Sequence, residues 1–259
     1  MKKILFSDID GTLVNGNQPI SSKDQEAIKK LREKGHYFSF CTGRNIQETK
    51  IITPYFEYDY LVLNNGAMIV DQQDQVLYRK QIKNEIAKEI LNESMRKYPY
   101  LNYTFFDGKQ TYGFINEKTC KLTKEGYQEI EGDFLDILNN TIEDIDIVCA
   151  FHPEEKLDEI KEIQQQINQK YTGIHATLNV VYLDITVDCT KGTGLQKLCS
   201  LFKEDVTSYC IGDSFNDLDM FKKANHAYTF NHVEKEIKEK TKNQVDYVYE
   251  VIDAMLEGE

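Results

Sequence analysis

Short continuous apolar runs alternate with helix-periodic stretches over the first third of the chain. Lys2–Phe6 reads as a buried strand. Ser22 and Gln25 have the spacing of a capping box, opening a helix that carries Ala27, Ile28 and Leu31 on one face. Gly35 fits the position just past its end. His36–Cys41 predicts the next strand, Asn45–Ile52 a helix and Tyr60–Leu63 a third strand. This β-α-β-α-β order predicts a parallel sheet with helices on its faces.

The pattern changes near residue 82. Ile82, Ile86 and Ile90 recur every four residues and predict a helix over about 83–97. Leu101–Phe106 and Thr111–Ile115 flank Asp107-Gly108, a hairpin signal. Asp144–Phe151 reads as a strand, Leu157, Ile160, Ile163 and Ile167 line one face of a helix, and Ile174–Leu178 and Val180–Val187 read as two more strands. From Lys191 the first pattern returns, with a helix carrying Leu195, Leu198 and Phe202, a strand at Ser208–Ile211 and a helix starting near Asn216. The expected fold class is α/β. A Rossmann-like doubly wound parallel sheet forms the core, residues 1–81 and 183–259, and an α+β domain is inserted at 82–182.

Composition narrows the partners. No apolar run among the 259 residues approaches the ~18 needed for a membrane-spanning helix. Ile4-Leu5-Phe6 is too short for a signal-peptide core. A cytoplasmic protein with no membrane partner is expected. The formal charge of −12 excludes the broad basic face of a nucleic-acid binder, while leaving room for a small anionic substrate where a few cations converge. Oligomeric state is not legible. None of the six cysteines forms a C-x-x-C pair or stands near a histidine at zinc spacing, so they read as reduced, packed thiols.

Three apolar strands each end in a small polar cluster: Asp8-Ile9-Asp10-Gly11-Thr12, Thr42-Gly43-Arg44, and Gly212-Asp213-Ser214-Phe215-Asn216-Asp217. Ligands of parallel α/β sheets bind at the carboxyl ends of strands, so Asp8, Asp10, Asp213 and Asp217 are expected to converge. Four carboxylates together need a counter-cation, and an oxygen-rich acidic site suits Mg²⁺. Lys191 adds a point positive charge for a phosphate, and Gly11, Gly43 and Gly192 let backbone N–H groups approach an anion. Taken singly, each piece has an ordinary explanation. D-x-D-G occurs in turns and calcium loops, an Asp before a helix is a helix cap, and Lys191-Gly192-Thr193-Gly194 lacks the spacing of a phosphate-binding P-loop. Their conjunction in this order at strand ends points to phosphoryl transfer. Arg44 reads equally as a substrate contact or as half of an ion pair. Tyr98, Tyr100, Tyr103 and Tyr112 read as core and surface rather than as a stacking platform.

Phe6-Ser7-Asp8-Ile9-Asp10-Gly11-Thr12-Leu13 resembles the first motif of the haloacid-dehalogenase-like superfamily. Cys41-Thr42-Gly43-Arg44 is similar to its second, Lys191 to its third and Gly212–Asp217 to its fourth. Leu63-Asn64-Asn65-Gly66-Ala67 resembles a signature of its Cof-type phosphatase subfamily. The resemblance covers the whole core, and the insert matches the subfamily's α/β cap, which serves substrate specificity. It implies that Asp8 is the nucleophile of an aspartyl-phosphate mechanism and that Asp10 is the general acid and base. It further implies Mg²⁺ on the Asp8 carboxylate, the Asp10 backbone carbonyl and Asp213, and phosphoryl oxygens held by Thr42, Gly43, Lys191 and Asn216. Asp217 would orient the metal shell or Lys191. The implied activity is hydrolysis of a small phosphorylated metabolite, a sugar phosphate or similar phosphomonoester. The alternatives are a phosphomutase of the phosphomannomutase type and a non-catalytic regulatory protein on the same fold. The cap shows no Arg/Lys cluster dedicated to a second phosphate, which favours hydrolysis over the mutase.

Overall fold

A computed structural model describes residues 1–16 and 20–257. The chain divides into two compact units, Met1–Arg79 with the segment from Cys189 onward, and Lys80–Asp188.

The first unit begins with strand β1 (Lys2–Ser7), helix α1 (Ser22–Glu33), β2 (Tyr37–Cys41), the single turn α2 (Ile46–Thr49), β3 (Tyr60–Leu63), β4 (Met68–Asp71) and β5 (Val76–Arg79). The second unit contains α3 (Asn84–Lys97), β6 (Asn102–Phe106), β7 (Thr111–Ile115), β8 (Lys118–Thr123), β9 (Gly126–Glu129), α4 (Phe134–Asn140), β10 (Ile147–Phe151), α5 (Asp158–Lys170), β11 (Ile174–Asn179) and β12 (Tyr182–Val187). The first unit then resumes with α6 (Lys191–Cys199), β13 (Val206–Ile211), α7 (Leu218–Lys223), β14 (His226–Phe230), α8 (Lys235–Lys238), β15 (Asn243–Val245) and α9 (Val248–Leu256).

The first unit's sheet has the order β15-β14-β13-β1-β2-β3-β4-β5. Its strands are parallel from β15 to β3, and β4 and β5 extend it antiparallel. Successive side chains of a strand point to opposite faces, and here both faces are buried. Leu5, Phe38, Phe40 and Leu61 pack with Ile28 and Leu31 of α1 and Val251 and Ile252 of α9. Ile4, Phe6, Cys41 and Val62 pack on the other side with Leu195 and Leu198 of α6 and Met220 of α7. That double burial is why these strands read as unbroken apolar runs.

The second unit is a seven-stranded sheet of order β11-β12-β10-β6-β7-β8-β9, antiparallel throughout. Its core joins Tyr103, Phe105, Val148, Leu183 and Ile185 of the sheet to Leu91, Phe134, Leu138, Ile160 and Ile163 of α3, α4 and α5. Tyr98 and Tyr103 are buried and Tyr112 packs on that core, while Tyr100 is exposed. No described helix is long and apolar enough to cross a membrane.

Several expected boundaries shift. The core was expected to resume at 183, but Leu183 pairs with Ala150 of β10 and Leu178 of β11, so the whole of β12 belongs to the second unit. An apolar strand reads alike in either sheet, and only pairing decides. The helix cap of α1 is Ser21 rather than Ser22, and Ser21 Oγ accepts from the Asp24 N–H at 3.2 Å. The helix expected over Asn45–Ile52 is one turn capped by Asn45, followed by a 3₁₀ turn at Thr53–Tyr55 around Pro54, which cannot donate to a continuing helix. The strands β4, β5, β8 and β9 and helix α4 were not foreseen, while β14, α8, β15 and α9 are the short strand and helix pieces expected after Asn216.

The turn after β3 fixes how the core closes. Asn64, Asn65 and Gly66 take φ of 51°, 50° and 96°, a run of left-handed conformations that favours Asn and Gly. A Cβ on Gly66 would sit 2.2 Å from the Thr190 carbonyl oxygen. Gly66→Ala is therefore expected to cost roughly 3 kcal/mol or more. Gly126→Ala has φ +105° but open space around it, and is expected to cost about 1–2 kcal/mol for backbone strain alone. Urea denaturation of both variants checks this, and equal losses would show that close approach at Gly66 does not matter.

Candidate active site

The register of the parallel strands builds the site. Ser7 at the end of β1 lies opposite Phe40 of β2 and Ile211 of β13. Asp8, Thr42 and Asp213 therefore leave the sheet side by side at its carboxyl edge. The Asp8 N–H donates to the Ile211 carbonyl at 3.1 Å and the Thr42 N–H to the Val62 carbonyl at 2.9 Å, so the ladders hold these residues at their backbones. Gly11, at φ +79°, has its Cα against the Asp213 carboxylate, with 2.2 Å to Oδ2 from an ideal Cβ. That space admits no side chain.

At the centre is Lys191, the first residue of α6, whose side chain is fully buried. Its Nζ lies 2.8 Å from Asp8 Oδ1 and 2.8 Å from Asp217 Oδ1. The other Asp217 oxygen accepts from the backbone N–H groups of Asp213 at 3.0 Å and Ser214 at 3.1 Å. Asp217 is thus spent on Lys191 and on the fourth-motif loop. Thr12 Oγ1 donates to Asp213 Oδ1 at 2.8 Å. Carboxylate oxygens of Asp8, Asp213 and Asp217 lie within 4.8 Å of one another.

The electrostatics follow from burial. Desolvation pushes the Asp8 carboxyl well above the ordinary carboxylate range, against the pull of Lys191 and with help from Asp217 and Asp213. Burial opposes the charge on Lys191, but Asp217 and Asp8 outweigh it and raise its pKa. Asp213 is pushed up to about 6, by burial first and Asp217 second. Burial also raises the Cys41 thiol, whose Sγ donates to the Lys191 carbonyl.

The other expected site residues surround this centre. Asp10 points its carboxylate at Arg44, with Nε to Oδ2 at 2.8 Å and Nη2 to Oδ1 at 2.6 Å. Arg44, left open between two roles, is therefore the partner of Asp10. Thr42 is buried, and its hydroxyl oxygen accepts from the Arg44 N–H at 3.2 Å. Gly43 is buried in the same loop. Asn216 Oδ1 accepts from Ser214 Oγ at 2.6 Å, which leaves its buried Nδ2 with no hydrogen-bond partner among the described residues. The contact of Thr12 with Asp213 escaped the sequence reading, although the D-x-D-G-T run contains Thr12.

A doubly wound sheet that gathers carboxylates and a buried lysine at its strand ends is an α/β enzyme fold with its polar site at the carboxyl edge. Residues 5–255 match the family of haloacid dehalogenase-like hydrolases, and the chain belongs to it. It is 26% identical to the 5-amino-6-(5-phospho-D-ribitylamino)uracil phosphatase YwtE of Bacillus subtilis, over 99% of both chains. It is 25% identical to the glucosyl-3-phosphoglycerate/mannosyl-3-phosphoglycerate phosphatase of Methanococcoides burtonii, over 86% of this chain and 82% of the relative. A solved haloacid dehalogenase-like hydrolase from B. subtilis shares the fold with a TM-score of 0.82 and 16% identity, over 98% of this chain and 100% of its own.

Asp213 makes the cost of the site measurable. Its carboxyl titrates near 6 when folded and near 4 when unfolded. The stabilisation from its protonated form is complete below about 4 and is lost as pH rises through 6. Asp213→Asn removes that titration. In chelator it is expected to be more stable than wild type at about pH 7.5, by roughly 1–2 kcal/mol after discounting for partial exposure, with the gap closing at about pH 4. Urea denaturation at the two pH values measures it. A variant less stable than wild type at the higher pH would show that the buried carboxylate is not strained.

Proposed function

We propose that this hydrolase is a magnesium-dependent phosphatase that passes the phosphoryl group of a small phosphomonoester to Asp8 and then to water. The observation that carries this reading is the buried contact of Asp8, at the end of β1, with Lys191 at 2.8 Å, beside Asp213 at the end of β13.

The donor set fits a divalent cation. Three carboxylates face one ammonium, which leaves two negative charges in a buried cluster. Burial, with the neighbouring carboxylates adding to it, raises the Asp8 and Asp213 carboxyls, and a bound cation would favour their ionised forms. All the donors are oxygen, as Mg²⁺ prefers. Asp8, the Asp10 backbone carbonyl and Asp213 would hold the ion, and Asp217, already engaged with Lys191, would not. When bound, Mg²⁺ would neutralise the charge of the incoming phosphoryl group and keep Asp8 ionised.

The protein's own groups divide the remaining work. Lys191 holds a phosphoryl oxygen and fixes the Asp8 carboxylate for attack on phosphorus. Thr42 and Gly43 lie at the adjacent strand end, and the unpartnered Asn216 Nδ2 is a donor with an anion still to bind. Asp10 gives a proton to the leaving oxygen and takes one from the water that hydrolyses the aspartyl-phosphate. In the free protein both of its oxygens are taken by Arg44, so Asp10 turns from Arg44 and takes up a proton from solvent before it acts as the acid. The named substrates of the two relatives carry phosphate on polyhydroxylated carbon skeletons, and we assign this chain a substrate of that kind, used in the cytoplasm.

Chelation by EDTA is expected to abolish hydrolysis of p-nitrophenyl phosphate and Mg²⁺ to restore it. Ca²⁺ should compete while supporting little turnover, because its looser coordination misplaces nucleophile and phosphorus. Full activity in chelator would refute the metal assignment.

A further inference from the structure

Lys191 owes its place to where α6 starts, and that start is tied to the fourth motif at a second point. Thr190 caps α6, and its Oγ1 accepts from the Thr193 N–H at 3.0 Å. Thr193 Oγ1 accepts from the Thr190 N–H at 2.8 Å in return. An ordinary helix cap ends there. The Thr190 hydroxyl also donates its proton to Asp219 Oδ2 on α7, and the same carboxylate oxygen lies 2.8 Å from Lys223 Nζ.

The two helix starts touch at their backbones. A Cβ on Gly192 would lie 2.4 Å from the Asp219 carbonyl oxygen. On the other side of α6, a Cβ on Gly194 would lie 2.6 Å from Gly66 Cα and 2.5 Å from Val62 Cγ1. The first turn of α6 is therefore wedged between the turn after β3 and α7. Adjacent residues 190 and 191 reach residues 219 and 217, one through a hydroxyl and one through the ammonium.

We propose that Asp219 is a positioning residue for the reaction, holding Lys191 against Asp8 through the Thr190 hydroxyl. The proposal rests on the phosphatase reading. The Thr190–Asp219 hydrogen bond sets the third motif relative to the fourth. Without it the α6 start relaxes and the ammonium moves relative to the Asp8 oxygen it contacts, while the Mg²⁺ donors, held by β1 and β13, stay in place. Displacements of about 1 Å in such sites cost up to ~10²-fold in rate.

The test uses the full-length protein with Mg²⁺ and p-nitrophenyl phosphate. Asp219→Ala and Thr190→Ala are each expected to lower kcat by roughly 10–100-fold. The Mg²⁺ concentration for half-activation should stay within about threefold, which a general collapse of the site would not allow. Asp219→Asn, which keeps an acceptor, and Thr190→Ser, which keeps the hydroxyl, should recover most of the lost kcat. The double variant Asp219→Ala/Thr190→Ala should be no slower than the slower single variant, because both remove one contact. An unchanged kcat in Asp219→Ala, additive losses in the double variant, or a loss that Thr190→Ser fails to recover would overturn the positioning role. Should Asp219→Ala not fold, the near-isosteric Asp219→Leu takes its place, because the Thr190→Ala and Thr190→Ser pair alters the α6 cap as well as the Asp219 contact. Wild-type protein that hydrolysed no phosphate ester would instead remove the phosphatase reading, and the positioning role with it.

Discussion

A buried ammonium between two buried carboxylates is the constraint on which the rest of this molecule depends. Taking an unpaired lysine out of water costs several kcal/mol, so Lys191 is tolerated only because Asp8 and Asp217 both lie 2.8 Å from its Nζ. Each partner is held in turn by something remote in sequence. The Asp8 backbone is held by the pairing of β1 with β13, and the second oxygen of Asp217 by two N–H groups of its own loop. The ammonium therefore sits where the parallel register, the fourth-motif turn and the start of α6 all agree. A shift in any one of them would leave a charge buried and unpartnered.

The same arrangement leaves charge unbalanced, and that imbalance is its chemistry. Lys191 answers one of the three clustered carboxylates in net charge, and burial raises the Asp8 and Asp213 carboxyls. On the proposed reading, a divalent cation would relieve this strain and, once bound, would let the site take a phosphate dianion. Asp10 stands apart from the cluster because Arg44 neutralises it directly. Two acidic residues two positions apart in one loop thus have different surroundings, one buried against a lysine and one clasped by a part-exposed arginine.

Much of this was legible in the chain itself. Buried parallel strands announce themselves as unbroken apolar runs, so β1, β2, β3 and β13 and the polar clusters at their ends were readable; of the four carboxylates expected to converge, Asp8, Asp213 and Asp217 do, and Asp10 is turned to Arg44 instead. What failed to show depends on pairing. The strand at Tyr182–Val187 has the composition of either sheet and is assigned by its partners β10 and β11. The edge strand β9 (Gly126–Glu129) is exposed and largely polar and lacks the apolar signal, while β5 (Val76–Arg79) is a four-residue, half-exposed run too short to stand out. The Thr190–Asp219 contact joins residues 29 apart, and neither residue carries a recognisable motif, so no spacing rule reaches it.

Asp8 is the group on which every assignment converges, and the covalent role proposed for it has a direct test. Mg²⁺-loaded protein is mixed with p-nitrophenyl phosphate, quenched in acid during turnover, and its peptides are examined by mass spectrometry. A phosphoryl group on the peptide that contains Asp8, absent when Asp8→Asn is treated in the same way, is the expected result. Turnover that continues undiminished in Asp8→Asn, with no phosphoryl group on the wild-type peptide, would contradict the nucleophilic role of Asp8.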